Sequence, residues 1–380
     1  MNRAVGYLVL WASVFVLPSS FAIAAEDSPT ERHLLYVAAP GIRNDLSFGG
    51  AGLLVFDIDN NHHFLRRIAT RASLEAKPEN IKGIAGTAVT GRLYFTTLTR
   101  LYAFDLHTEH DLWEKSLSGG CDRLTISPDG KTLYVPSLEG AHWNIVDAQN
   151  GEVLAKVEPN SGSHNTVCSQ DGRFVYCAGL RSPLLTVVDT STNTITGTIG
   201  PFTASVRPFT VNADRSQVFV NVNALLGFEV ADARSGKLLH RVEVPGFKQG
   251  TVARHGCPSH GIGLTPDGRE VWVADAANRR VHLFDSTKLP PTYLESIELR
   301  DEPGWITFSI NGRYAYPSTG DIIDTRTRKI VAALEDEEGR YVASEKMLEI
   351  DFRGKAVVQV GDQFGVGRNA HAVERPLPAQ

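Results

Sequence analysis

One element recurs seven times along this chain of 380 residues: a short apolar run closed by an aspartate. The runs end at Asp57, Asp105, Asp147, Asp189, Asp232, Asp285 and Asp324, at intervals of 48, 42, 42, 43, 53 and 39 residues. A second element precedes most of them, a polar turn leading into an aromatic strand. It stands as Ser127-Pro128-Asp129-Gly130 before Leu133-Tyr134-Val135 and as Ser169-Gln170-Asp171-Gly172 before Phe174-Val175-Tyr176. It returns as Thr265-Pro266-Asp267-Gly268 before Val271-Trp272-Val273 and as Asn311-Gly312 before Tyr314-Ala315-Tyr316, with Asn212-Ala213-Asp214-Arg215 a degraded copy. Proline presets φ at the second turn position, aspartate caps the turn and glycine takes φ > 0, which closes a tight hairpin. The flanking runs alternate Val, Ile, Leu, Tyr and Phe with polar residues, the period of a strand, and no segment sustains a helical period. Asp147 with Gly151, and Asp232 with Gly236, bound a second hairpin, so each repeat holds four strands. Seven four-stranded units spaced about 40–50 residues apart predict an all-β chain, a seven-bladed β-propeller of antiparallel blades.

The first repeat is incomplete. His33 to Val37 fits the second strand of a blade, with no strand before it, while the tail offers Lys346 to Phe352, a turn at Arg353-Gly354, and Ala356 to Val360. The C-terminal segment is expected to complete the first blade and close the ring, removing the edges an open array would expose. A partial eighth blade is the alternative, since Ile350-Asp351 echoes the repeat, but Asp351 follows Asp324 by only 27 residues.

Hydrophobic residues at 42% and charged residues at 21% suit a chain with a real core. A net charge of −5 gives no electrostatic basis for binding nucleic acid. Arg3 is the only charge among the first 25 residues; the apolar run Ala4 to Leu17, the break at Pro18-Ser19-Ser20 and the small-x-small pattern Ala22-Ile23-Ala24 read as a secretory signal peptide. An uncleaved anchor is the alternative, though this run is shorter than the ~20 residues a bilayer span needs. The expected division is 1–25 signal peptide, 26–32 linker, 33–368 propeller and 369–380 tail. It implies a periplasmic or secreted monomer with no membrane span in the mature chain.

Over residues 33–360 the chain resembles the YVTN-type β-propeller repeat family, related to lactonase-like and surface-layer-type propellers. The match rests on Ser-Pro-Asp-Gly-Lys-Thr-Leu-Tyr-Val at 127–135 and Val-Asp-x-x-x-Gly at 146–151. The departures are the first repeat, Arg215 in place of glycine, and an insert around Lys288-Leu289-Pro290-Pro291. The resemblance implies the fold, which does not fix a function. Proteins of this kind include secreted and surface binding modules, lactone hydrolases, a lactone-forming cycloisomerase, and propeller subunits of quinone- or copper-dependent redox enzymes. Two roles are expected from it. One is a module binding a small anionic ligand or a periplasmic protein partner at its channel mouth, accessory to a redox enzyme. The other is a lactonase or cycloisomerase acting on an anionic lactone.

The innermost strand of each blade lines the axial channel. Counting five residues back from the hairpin turn places Asp122, His164, Arg207 and His260 in one register, with Gly304 beside Trp305 in the seventh repeat and Lys82 nearby in the second. Arg123 and Asn165 adjoin it. Small or apolar residues usually pack so tight an axis, so an acid, two imidazoles and a guanidinium form the sharpest functional signal in the chain. Arg207 could clamp a carboxylate, His164 or His260 could move a proton near neutral pH, and Asp122 could orient an imidazole. Asn165, Arg123, Lys82 and Trp305 would bind ligand, Trp305 by stacking. A water-filled polar channel without turnover is the alternative.

His255, Cys257 and His260 lie close enough in sequence to suggest a divalent metal, because imidazole and thiolate suit zinc or copper; a plain polar loop is the alternative. No cofactor is otherwise indicated. Cys121, Cys168, Cys177 and Cys257 read as buried small apolar residues, with Cys168 opposite Phe174 and so not bridged to Cys177. His62-His63 and His107 with His110 read as solvated turn residues. Pro40 to Gly52 reads as an irregular loop or a flap over the mouth.

Overall fold

A computed structural model describes residues 1–2 and 31–367. The expected signal peptide beyond its first two residues, most of the linker, and the tail lie outside the described residues. Twenty-nine strands form seven antiparallel sheets, the blades of a closed propeller, and the only helices among the described residues are three single 3-10 turns. The inner strands of blades 2 to 7 are Gly83–Thr87, Thr125–Ile126, Ser163–Cys168, Val206–Val211, Ser259–Leu264 and Ile306–Phe308, and Met347–Arg353 takes the equivalent place in blade 1.

The repeat elements are explained by their hydrogen bonds. Each of the seven aspartates ends the third strand of its blade and accepts the backbone N–H two residues on: Asp57 from Asp59, Asp105 from His107, Asp147 from Gln149, Asp189 from Ser191, Asp232 from Arg234, Asp285 from Thr287 and Asp324 from Arg326. An Asx turn therefore launches each outer hairpin. At the inner hairpins Ser127, Ser169, Thr265 and Ser309 each donate a hydroxyl hydrogen bond to the third turn residue and accept the amide five residues on. Arg215 takes the glycine's place in the degraded copy at φ 58, in the left-handed region.

Six blades have the expected four strands; the one that closes the ring has five. Its order is Ala356–Val360, Met347–Arg353, Glu31–Ala39, Gly52–Asp57, His63–Ile68. Met347–Arg353 pairs with the strand Glu31–Ala39 from Glu31↔Arg353 to Val37↔Met347, so this segment completes blade 1, and there is no eighth blade among the described residues. The extra strand arises because Gly354, at φ 61, turns the tail back along the axis side. Residues 361–367 then enter the channel. Leu264 N and Thr210 Oγ1 each donate to Gly365 O at 2.8 Å, Thr307 Oγ1 donates to Asp362 O at 2.7 Å, Ile84 N donates to Gln363 Oε1 at 2.6 Å, and Trp305 Nε1 donates to Gln363 O. Gly365, at φ 58, passes so close to Gly263 that a side chain would collide with its Cα. The chain plugs its own axis.

Hydrophobic clusters fill the spaces between and within blades, with Trp143, Trp272, Tyr94 and Tyr134 fully buried. Cys168 faces Val175 and Cys177 faces Thr166, a register one residue from the expected one, and all four cysteines are free and buried. No helix of the described residues is long and apolar enough to cross a membrane.

Candidate functional site at the channel mouth

The starts of the inner strands converge as the repeat requires. A cavity of about 280 Å³ opens there, lined by His164, Arg207 and His260 from the expected register and by Lys82 and Arg123 expected beside it. Its wall also includes Arg43, Arg254, His255, Glu345 and Lys346, with Glu139 the second acid. Asp122, Asn165, Trp305 and Cys257 are not on the wall.

Asp122 lies behind it, fully buried. Its Oδ2 is 2.6 Å from His164 Nδ1 and its Oδ1 is 3.3 Å from Lys82 Nζ. Burial alone would raise this carboxyl, but His164 and Lys82 outweigh it and hold it well below the usual range. Arg123 Nη1 is 3.2 Å from His164 Nε2. A guanidinium only donates, so Nε2 accepts and the imidazole proton sits on Nδ1, donated to Asp122. Burial lowers the His164 pKa against the pull of Asp122, which keeps the ring neutral at pH 7. Both nitrogens are engaged, so His164 has no lone pair for a substrate proton. It positions Arg123.

Arg123 is the centre of the network. It donates to Glu345 Oε2, and its guanidinium carbon lies 4.4 Å from the Trp305 ring centroid. Trp305 is thus covered by Arg123 rather than open to a ligand. Lys346 Nζ reaches Glu345 Oε2 at 2.9 Å and Gly41 O at 2.9 Å. Burial would raise the Glu345 carboxyl, but Lys346 and Arg123 outweigh it and hold it well below its ordinary value.

His260 differs from His164. Its Nδ1 is 2.8 Å from Gly304 O, an acceptor, so the proton is on Nδ1 and Nε2 keeps its lone pair. Burial first, and His255 next, press its pKa well below 6.5. His255 stacks on it, ring centroids 4.9 Å apart. Arg207 donates through Nε to Asn223 Oδ1 at 2.6 Å and through Nη2 to Gly256 O at 3.1 Å, and no ion pair engages it among the described residues. Asn165 is buried, and neither of its side-chain polar atoms has a partner among the described residues.

The expected metal set is regrouped. Cys257 stands apart, its thiol donating to Ser259 O at 3.1 Å, and burial pushes that thiol up to about 12. The ligand-capable atoms of His255, His260 and Glu345 lie within 4.8 Å of one another. Glu345 and Lys346 escaped the sequence reading because register was counted back from hairpin turns. Blade 1 joins its first two strands by ring closure, with no such turn, yet Glu345 occupies the equivalent place before Met347–Arg353. Arg43 comes from the loop 40–52, which runs beside the mouth, and Arg254 from the long connection between blades 5 and 6.

No family model matches the chain, and no curated relative matches it. Among solved structures it is similar to hydrazine synthase of Kuenenia stuttgartiensis, with a TM-score of 0.59 at 13% identity, over 83% of this chain and 99% of that one. That likeness is one of fold, and it agrees with the closed seven-bladed ring.

Proposed function

We propose that this chain is an exported, YVTN-type propeller that binds a small oxyanion at its channel mouth. The observation that carries the reading is the charge of the cavity wall: Arg43, Lys82, Arg123, Arg207, Arg254 and Lys346 against Glu139 and Glu345. Even with Asp122 behind Lys82 and with Asp301 and Glu302 at Arg254, cations exceed acids, six against five. Arg207 and Arg43 have no carboxylate partner among the described residues. Guanidinium groups in a partly dewatered recess suit carboxylate or phosphate oxygens. The repeat consensus supports the family, and the N-terminal charge and apolar pattern support export.

Calorimetric titration with phosphate, acetate and succinate tests binding. At least one should bind, and Arg207→Gln should weaken it by about tenfold or more, the scale of a lost charge-assisted pair. No heat from any of the three, or unchanged affinity in Arg207→Gln, overturns the reading. Sequencing the N-terminus of protein from the periplasmic fraction tests export.

A second reading, opening of an anionic lactone, is favoured by the free Nε2 of His260 beside the cations. It requires lactone hydrolysis that disappears in both His260→Ala and Arg207→Ala.

A further inference from the structure

We infer that His255, His260 and Glu345 form a binding site for a divalent first-row transition metal, opening into the cavity. The three side chains come from different parts of the wheel: the connection between blades 5 and 6, the start of the blade 6 inner strand, and the start of the closing strand. Their donor atoms lie within 4.8 Å of one another. In a shell with bonds of about 2.1 Å, donors stand roughly 3–3.5 Å apart, so side-chain closure of about an ångström completes the set.

Two further observations point to a ligand. His255 Nε2 is buried without a hydrogen-bond partner among the described residues, on a side chain with 5% of its surface accessible, an arrangement that costs free energy unless something binds there. His260 Nδ1 is engaged by Gly304 O, which orients the ring and leaves Nε2 as the donor, the arrangement metal-binding imidazoles use. A methyl group added to Gly304 would overlap both His255 and Glu345, so the two side chains pack directly against this glycine. Arg123 and Lys346 hold Glu345 by Oε2, leaving Oε1 facing His255 at 3.3 Å from Nδ1. Two imidazoles and one carboxylate suit zinc or ferrous iron and leave coordination positions toward the cavity.

This inference stands apart from the anion reading. The test loads purified full-length protein with Zn²⁺ or Co²⁺, desalts it, and measures bound metal by mass spectrometry together with the visible absorption of the Co²⁺ form. One metal per chain is expected, with Co²⁺ bands showing nitrogen and oxygen ligands and no thiolate charge transfer. His255→Phe and His260→Gln should each weaken Zn²⁺, measured against a chromophoric chelator, by about 100-fold or more, beyond the 10–100-fold cost of losing an outer partner. Cys257→Ser should leave it unchanged. Circular dichroism verifies that each variant is folded. Less than about 0.2 equivalents bound to wild type, or equal retention by folded His255→Phe, overturns the site. Phosphate binding to metal-stripped protein, measured alongside, separates the two readings: anion binding without metal uptake sinks this inference alone, and metal uptake without anion binding sinks the anion reading alone.

Discussion

The two ends of the channel are built from the same seven inner strands and hold opposite things. At the strand starts a cavity of about 280 Å³ is walled by six cationic residues and three imidazoles. At the strand ends a larger one, about 570 Å³, has no lysine, arginine or histidine in its lining and is walled partly by residues 358–364 and Val366 of the chain's own tail. Size runs against chemistry. The tail's peptide groups are bonded to the inner strands, and Phe364 stacks edge-on against Trp305 at 5.7 Å, so that end spends its polar groups on closing the ring. The mouth keeps Arg207 and Arg43 without a carboxylate partner among the described residues, and the Nε2 lone pair of His260 unengaged. Convergent polar groups, rather than volume, mark the site.

The largest expected effect lies at the mouth, in the network around Arg123. Arg123→Leu leaves Glu345 and Asp122 buried with fewer cations, and removing one partner of a buried pair costs about 3–5 kcal/mol. It should also abolish anion binding, read by urea unfolding and calorimetry on the same preparation. Phe364→Ala, on the plugged side, should cost about 3 kcal/mol by leaving a cavity against Trp305, yet leave anion affinity unchanged. A folded Phe364→Ala protein with weakened anion binding would break the division between the ends.

Much of this contrast was legible in the sequence, and the rest was hidden for identifiable reasons. The seven aspartates report the wheel because each performs one local job, an Asx turn, that needs one residue type at one place. Lys82, His164, Arg207 and His260 could be placed on the mouth because hairpin turns transmit register along a strand of period two. Asp122 shows the limit. The blade 3 inner strand is only Thr125–Ile126, the segment before it is irregular, and the side chain that reaches the cavity is Arg123. Glu345 was out of reach because ring closure pairs segments over 300 residues apart. By its place in the sequence His62 is a solvated turn residue, but at φ 58 it folds inward between Tyr314 and Tyr316 and is buried.

That histidine separates acid effects at the hub from those at the rim. His62 Nε2 is 3.0 Å from Tyr316 OH, Tyr314 lies edge-on to it, and Asp59 and Arg313 are the nearest charges; burial presses its pKa to about 4. The unfolded chain takes up this proton near pH 6.5 and the folded one only near pH 4. Stability is therefore full above 6.5 and is lost as pH falls through that window, by about 2 kcal/mol at pH 5 on 1.36 kcal/mol per unit. Asparagine tolerates φ > 0. His62→Asn should lose about 2 kcal/mol less than wild type between pH 7 and pH 5, measured by urea unfolding. Equal losses would assign the acid sensitivity to the imidazoles of the mouth instead.

The smallest effect is expected at the degraded hairpin, on the plugged face. Arg215 holds a left-handed conformation that costs a non-glycine residue about 1 kcal/mol, and glycine would relieve it. The arginine also repays that strain. Its Nε is 3.0 Å from Asp171 Oδ2, and its guanidinium carbon lies 5.0 Å from the Phe174 ring centroid. A part-exposed ion pair and a surface cation–π contact contribute roughly 0.2–1 kcal/mol each. Arg215→Gly should thus change unfolding free energy by less than about 1 kcal/mol, with an unchanged denaturant slope and unchanged anion affinity. Arg215→Ala keeps the strain and loses both contacts, and should be the less stable of the two by about 1 kcal/mol. Equal stability of the two variants would mean that the turn at Arg215 carries no backbone strain, and that glycine in the other copies answers to something besides φ.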